Sequence, residues 1–196
     1  MWRNSEDRYG TLARLWHWVM FALLVGMIVL GLWMTGLTYG DPWYHRAPAL
    51  HEGLGIMTFV AFALRLSWRF FDPPPPLSCG IPRWQRLLAH GTHWVLYALM
   101  GVIPVSGYLI TTARGEGVAV FGWFSIPALF PSRPGMEDLA GSVHLVLALA
   151  LAGLALMHAT AAVKHHVIDR DDTLVRMVPF LEFPEKHRPT SKEERS

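Results

Sequence analysis

Four apolar blocks, each long enough to cross a lipid bilayer, constrain this chain more than any other feature of its sequence. A transmembrane helix needs about 20 mostly apolar residues, and such blocks lie at about residues 15–35, 50–71, 87–111 and 141–163. Only 16% of the 196 residues are charged, whereas soluble domains carry about 25%. The pattern predicts an all-α fold, an integral membrane four-helix bundle that forms a single domain over residues 1–178.

The segments outside the blocks give no sign of a second domain. Residues 179–196 are polar, and we expect them to form a disordered tail. The first block follows three arginines, as a signal peptide would. It is longer than a signal-peptide core and no A-x-A cleavage pattern follows it, so we expect a retained helix. Cys79 is the single cysteine, which excludes an internal disulfide or a CxxC metal site. The net charge of +2 does not indicate a nucleic-acid partner.

The distribution of Lys and Arg predicts the orientation of the spans. Four spans place both chain ends on one side, and 14 of the 17 Lys and Arg residues lie there. They are Arg3, Arg8, Arg14, Arg65, Arg69, Arg83, Arg86, Lys164, Arg170, Arg176, Lys186, Arg188, Lys192 and Arg195. The positive-inside rule therefore predicts that both termini are cytoplasmic. We expect Arg65 and Arg69, near the inner end of the second block, to extend toward the headgroups.

Four histidines lie within or at the edge of the apolar blocks, where an ionisable residue is costly and marks function. His17 lies near the inner end of the first block and His51 near the outer end of the second. His144 and His158 are 14 residues apart in the fourth block. That spacing is roughly 21 Å along a helix and about 40° short of four full turns, so both share one face at opposite depths. The sequence predicts an inner pair, His17 with His158, and an outer pair, His51 with His144.

Two imidazoles that face each other across a bundle can bind a haem iron from both sides. The apolar macrocycle suits the membrane interior, and its propionates can reach Arg or Lys at the interface. Zinc fits less well, because it prefers four ligands at one point and Glu52 is the only carboxylate nearby. Four glycines could let a flat ring approach the backbone, although close helix packing explains them equally well. They are Gly26, Gly53, Gly55 and Gly153.

Six further histidines lie outside these positions: His45, His90, His93, His165, His166 and His187. His93 is near the inner start of the third block, and geometry alone would let it replace His17 or His158 as an inner ligand. His165 and His166 lie at the inner membrane edge, where they could contact propionates or a quinone headgroup. We assign no ligand role to the histidines of the outer loop and the tail.

Six short segments, in a fixed order along the chain, carry a likeness to a known family. They are Arg-Leu-Trp-His-Trp around His17, Trp-Tyr-His-Arg-Ala-Pro-Ala-Leu-His-Glu ending at Glu52, Val-Phe-Gly at 120–122, Val-His-Leu around His144, Met-His-Ala-Thr-Ala-Ala-Val-Lys-His-His from Met157, and Asp-Asp-Thr-Leu-Val-Arg-Met from Asp171. With these segments the chain resembles the prokaryotic cytochrome b561 family, especially its enterobacterial homologues. The likeness covers about residues 5–178.

The resemblance implies four helices and two haems b, ligated by histidines of the first, second and fourth helices. Those positions match His17, His51, His144 and His158, which favours His17 over His93. The resemblance also implies a multi-pass protein of the bacterial cytoplasmic membrane that carries electrons in a respiratory chain. Some family members pass electrons from superoxide to ubiquinone. Others resemble membrane subunits of hydrogenases and formate dehydrogenases.

These inferences lead to one main functional hypothesis and two alternatives. An iron with two histidine ligands has no open position, which favours electron transfer over oxygen binding. We expect an oxidoreductase that exchanges electrons with quinone. The resemblance makes superoxide a candidate substrate, and the positive charge of His45, Arg46 and Arg114 outside could attract such a small anion, although ordinary loop charge explains each residue as well. The first alternative is a membrane anchor that relays electrons for a soluble or periplasmic redox partner. The second is a metal or proton transporter without haem.

Overall fold

The computed structural model describes residues 1–6, 8–76, 81–178 and 181. Within these residues the chain forms four long helices, α1 Thr11–Met34, α2 Arg46–Phe71, α3 Arg83–Thr112 and α4 Met136–Lys164. A π-helix, His165–Asp169, continues α4, and a hairpin of β1 Val118–Val120 and β2 Phe124–Ile126 lies between α3 and α4. Cys79 and, apart from Leu181, the predicted tail lie outside the described residues.

The four predicted spans are confirmed, because each helix is long and apolar enough to cross a membrane. The helices extend past the apolar blocks, since the headgroup layers make the bilayer thicker than its hydrocarbon core. The start of α4 is an example. Its first turn carries Glu137 and Asp138, and carboxylates are favourable near the positive end of the helix dipole.

The bundle packs around a small apolar core and turns most of its large side chains outward. Met20, Phe62, Tyr97 and Leu151, one from each helix, are buried together in this core. Many other large apolar side chains are exposed on the helix surfaces. A soluble protein would not leave so much apolar surface in water, but a lipid environment accommodates it.

Both described chain ends lie at the same end of the bundle, which we call the terminal face (residues 1–10, 72–76 and 171–178). The Asn4 side-chain amide donates to the carbonyl oxygens of Asp72 and Pro73, at 3.0 Å each. Trp18 Nε1 donates to the Met177 carbonyl at 3.2 Å. The two terminal segments therefore bind the bundle by long-range hydrogen bonds and cover part of this face.

The opposite end, the loop face, comprises the α1–α2 loop and the α3–α4 connection with its hairpin. The hairpin is an addition to the predicted all-α fold, since strands of three residues are too short to give a clear alternating pattern. Val118 and Val120 of β1 are buried. Phe121 forms the turn at φ +51°, and its ring packs so closely on Gly53 that a Cβ there would lie 2.8 Å from Cε1.

Candidate metal centres

The loop-face pair consists of His51 on α2 and His144 on α4. Their ring centroids are 6.2 Å apart and the rings are inclined at 76°. Both side chains line an apolar cavity of about 370 Å³ whose walls come from all four helices and from Val118 of the hairpin. A volume of this size lies within the range of small-molecule sites, about 300–1,000 Å³.

Two glycines make room for these imidazole rings. A Cβ on Gly31 of α1 would lie 3.1 Å from Cε1 of His51, and a Cβ on Gly107 of α3 would lie 3.1 Å from Cε1 of His144. Both distances are tighter than ordinary van der Waals contact. Each loop-face histidine therefore lies against a glycine of a neighbouring helix, and neither glycine is among the four singled out from the sequence.

The four glycines of the sequence prediction have different surroundings. Gly55 lines the cavity, and Gly53 lies under the Phe121 ring. A Cβ on Gly26 or Gly153 would meet no atom within 4 Å. Of the four, Gly55 alone lines the cavity of the loop-face pair.

The two loop-face rings have different hydrogen bonds. His144 Nδ1 lies 3.0 Å from the Ile103 carbonyl oxygen and 3.1 Å from Ser106 Oγ. If Nδ1–H donates to Ile103, the lone pair of Nε2 is available for a metal. His51 Nδ1 is buried and has no hydrogen-bond partner among the described residues. An unpaired buried nitrogen is unfavourable, so this ring is available to hold a ligand.

The second centre, near the terminal face, contains three histidines instead of two. His17 of α1 and His158 of α4 have ring centroids 6.5 Å apart, inclined at 54°. His93 of α3 is closer to His158, at 5.1 Å and 66°. The structure therefore brings the predicted inner pair together and places the alternative ligand beside it.

The separations differ in how well they suit an intervening iron. Metal–imidazole bonds are about 2 Å long, so two imidazoles on opposite sides of one metal hold their ring centres about 6 Å apart. The separations of His17 from His158 and of His51 from His144 match this value. The 5.1 Å separation of His93 from His158 is shorter. Both donor sets fit an iron centre, and at the loop-face pair the apolar cavity also fits a flat, apolar group around that iron.

Arg65 does not extend toward the headgroups, as its position near the end of the second block predicted. Its Nη1 donates to the Trp16 carbonyl at 3.0 Å and its Nε to the Tyr97 hydroxyl at 3.4 Å. Nη2 lies 3.4 Å from Nδ1 of His17. The expectation was wrong because these acceptors lie inside the bundle, within reach of the guanidinium, and a sequence pattern does not show them.

The remaining histidines have other surroundings. His165 Nδ1 lies 2.7 Å from Asp171 Oδ2 and 3.0 Å from Asp169 Oδ2, so it is engaged by carboxylates at the terminal end of α4. Nζ of Lys164 pairs with Asp169 at 2.6 Å. His45 packs its ring on Tyr44 in the α1–α2 loop, with centroids 5.0 Å apart. His187 lies outside the described residues.

Imidazole pairs near both ends of an apolar four-helix membrane bundle define a class of protein, the membrane-embedded b-type cytochromes. The family model described as prokaryotic cytochrome b561 matches residues 8–180. The chain belongs to the prokaryotic cytochrome b561 family. It is accordingly a multi-pass protein of the bacterial inner membrane that binds haem b and transfers electrons.

Three relatives illustrate the range of the family. Cytochrome b561 homolog 2 of Escherichia coli K12 is 44% identical over 176 residues, which is 89% of this chain and 93% of that protein. Probable superoxide oxidase CybB of Yersinia pestis is 30% identical over 172 residues, 83% of this chain and 91% of that protein. Cytochrome b561 homolog 1 of Escherichia coli K12 is 29% identical over 169 residues, 83% of this chain and 92% of that protein.

Proposed function

We propose that this chain transfers electrons across the cytoplasmic membrane through two haems b and exchanges them with the quinone pool. His17 and His158 hold one haem near the terminal face, and His51 and His144 hold the other near the loop face. The observation that carries the proposal is the separation of the rings in each pair, 6.5 Å and 6.2 Å, as an iron bound from both sides requires. The excess of Lys and Arg supports a cytoplasmic terminal face.

The residues of the chain supply holding, orientation and exclusion of water. Haem b supplies a one-electron iron couple when it is bound. With haem bound, the two imidazoles of each pair would hold its iron and would leave no coordination site for oxygen. Helix α4 provides one ligand to each pair, so a single rigid element fixes the distance between the two centres, roughly 21 Å along the helix.

The covered terminal face supports a membrane-soluble reactant on that side. The Asn4 contacts hold the N-terminal segment across the end of α2. From the segment after α4, Nη1 of Arg176 donates to the carbonyl oxygen of Pro76, and these two atoms are 2.7 Å apart. A soluble cytoplasmic protein would meet these segments before it reached His17 or His158. A quinone can instead approach from the lipid, between the helices.

Superoxide as the electron donor has support from one relative, which is named a probable superoxide oxidase. The loop-face charge gives less support than the sequence predicted. Arg114 forms a two-pronged ion pair with Glu137, at 3.0 and 2.7 Å, and Glu137 raises the pKa of the guanidinium. This pair is locally neutral, and the carboxylates of Asp41, Glu116 and Asp138 on the same face offset the charges of Arg46 and Arg133. A rate of superoxide oxidation that is insensitive to salt would count against steering by these charges.

A second candidate function is electron relay to a periplasmic or soluble redox partner, and one observation favours it. Tyr39, 83% exposed, packs against Tyr44 and His45 on the loop face. Trp123 at the hairpin turn is 76% exposed. Exposed aromatic rings are enriched at protein interfaces as well as at headgroup level. Co-purification of a redox protein that is lost in Tyr39→Ala would favour this function.

The histidine assignment is tested by haem content and optical spectra of purified full-length variants. We expect His17→Ala and His158→Ala to lose the terminal-face haem and keep the other, and His51→Ala and His144→Ala to do the reverse. His93→Ala should retain both haems, because its ring lies too close to His158 for an iron between them. If His93→Ala loses a haem and His17→Ala does not, the terminal-face assignment is wrong. A wild-type protein without haem absorbance would refute the whole proposal.

The quinone exchange is tested separately by stopped-flow mixing of the oxidised protein with a short-chain ubiquinol. We expect rapid haem reduction that is matched by reoxidation when ubiquinone is added in excess. Superoxide, generated enzymatically, should reduce the haems in the absence of quinone if it is the donor, and added ubiquinone should reoxidise them. A protein that neither donor reduces, but that a co-purified partner does, would favour the relay function.

A further inference from the structure

Two arginines of α2 flank one buried tyrosine near the terminal face. Arg65 and Arg69 are four residues apart, so they lie on the same side of the helix. Their guanidinium carbons are 5.9 and 5.3 Å from the centre of the Tyr97 ring. Tyr97 itself is 7% exposed. Both positive charges are therefore half-buried against the interior of the bundle.

In the part of the chain that the structure describes, neither arginine has an opposite charge beside it. Among the described residues no ion pair includes Arg65 or Arg69. Nε of Arg14, one turn before His17, is also buried without a hydrogen-bond partner in the described part of the chain. A charge removed from water is costly unless an opposite charge accompanies it, and arginines within membrane spans mark ligand counter-charges.

The contact between Arg65 and His17 also indicates that Arg65 binds an acidic ligand. A guanidinium can only donate, so the 3.4 Å contact requires a lone pair on Nδ1 of His17. A histidine that coordinates iron through Nε2 carries its proton on Nδ1. Nη2 of Arg65 then loses this acceptor and needs another.

We infer that Arg65 and Arg69 bind the propionate carboxylates of the haem held by His17 and His158. The inference rests on the proposed function, since it takes that haem as the ligand. Each haem carries two carboxylates, and two guanidinium groups supply matching charge and paired donors.

The first experiment measures haem transfer from the purified full-length holoprotein to excess apomyoglobin. Arg65→Gln and Arg69→Gln should each release one of the two haems about tenfold faster or more, because each variant removes a charge-assisted hydrogen bond. The midpoint potential of that haem should fall, since a positive charge that disfavours ferric iron is gone. Arg83→Gln is the matched control, because it removes the same charge from an exposed position in the first turn of α3.

The second experiment separates carboxylate binding from a packing role of Arg65. The full chain, produced without haem, is loaded with either natural haem or haem dimethyl ester, whose propionates are neutral. The arginine variants should speed the loss of natural haem and leave the loss of the ester unchanged. If the variants speed both losses equally, the arginines support His17 by packing, and the inference is overturned.

Other outcomes also decide between the proposals. Two haems with unchanged loss rates in both arginine variants would overturn this inference and leave the proposed function standing. Anionic phospholipid could instead slow haem loss from the wild type and not from the variants, with equal loss rates for natural haem and the ester. That result would assign the arginines to lipid phosphate and would also overturn the inference. Absence of haem at His17 and His158 in the wild type would end both proposals.

Discussion

At the scale of single residues, the loop-face centre depends on space as much as on ligands. His51 and His144 can face each other because Gly31 and Gly107 lack side chains where the rings lie. The position of Gly31 along the chain carries a signal for this contact. It lies a few residues before the end of α1, as His51 lies a few residues after the start of α2. Two antiparallel helices place such positions at the same depth.

Gly31→Val should therefore remove the loop-face haem while the bundle remains. A branched side chain would overlap the His51 ring, since even one carbon would lie 3.1 Å from Cε1. We expect haem content to fall from about two to about one per chain, because overpacking displaces a ring from its position. Haem content is measured by the pyridine haemochrome spectrum. Gly153→Val is the control, since its Cβ would meet no atom within 4 Å. Equal haem loss in both variants would contradict the prediction.

At the scale of elements, the hairpin is the part of the fold that hydropathy did not predict. Its strands have three residues each, and the clearest sequence signal is Val-Phe-Gly, which here forms the end of β1 and the turn. Phe121 adopts φ +51°, an uncommon conformation for a residue with a side chain. Such strain persists only when the surroundings hold it. The close fit of the ring on Gly53 holds the hairpin on α2, where Val118 closes the cavity.

Gly53→Ala tests this fit, because helix propensity and the contact with Phe121 predict opposite changes in the free energy of unfolding. Alanine favours a helix over glycine by about 1 kcal/mol, so without a clash the variant would be more stable. We expect it to be less stable by about 1–3 kcal/mol, because the new Cβ would lie 2.8 Å from the Phe121 ring. Thermal unfolding in detergent measures the change, and Gly91→Ala is the control in an open helical position.

A double-mutant cycle identifies the cause of the Gly53→Ala effect. In a Phe121→Ala background the ring is gone, so Gly53→Ala should no longer destabilise the protein and can be compared directly with Gly91→Ala. Coupling between contacting residues commonly amounts to about 0.5–3 kcal/mol. Equal destabilisation by Gly53→Ala in both backgrounds would show that the hairpin contact is not responsible.

At the scale of the whole molecule, hydropathy predicted the four spans because lipid imposes a simple rule on length and polarity. The depth of each histidine follows from the same rule, which puts His17, His93 and His158 near the inner face. The family resemblance, and not depth, is what favours His17 over His93. The covering of the terminal face is not predictable in this way. It depends on long-range hydrogen bonds from Asn4, Trp18 and Arg176, whose local sequence carries no periodic signal. The inward direction of Arg65 is not predictable for the same reason.

The orientation of the whole bundle follows from charge alone and can be tested with the single cysteine. In the sequence, Cys79 falls between the end of α2 and the start of α3, on the side where Lys and Arg are in excess, and that excess predicts that this side is cytoplasmic. A membrane-impermeant maleimide should therefore label the wild type in inverted vesicles and leave it unlabelled in intact spheroplasts. Thr38→Cys in a Cys79→Ser background places the thiol in the α1–α2 loop, and it should show the opposite pattern. Labelling of Cys79 in intact spheroplasts would show that the terminal face is periplasmic and that the loop-face haem lies toward the cytoplasm. Superoxide from the periplasm would then meet the terminal face, and the sites of quinone exchange and superoxide access would have to be exchanged between the two faces.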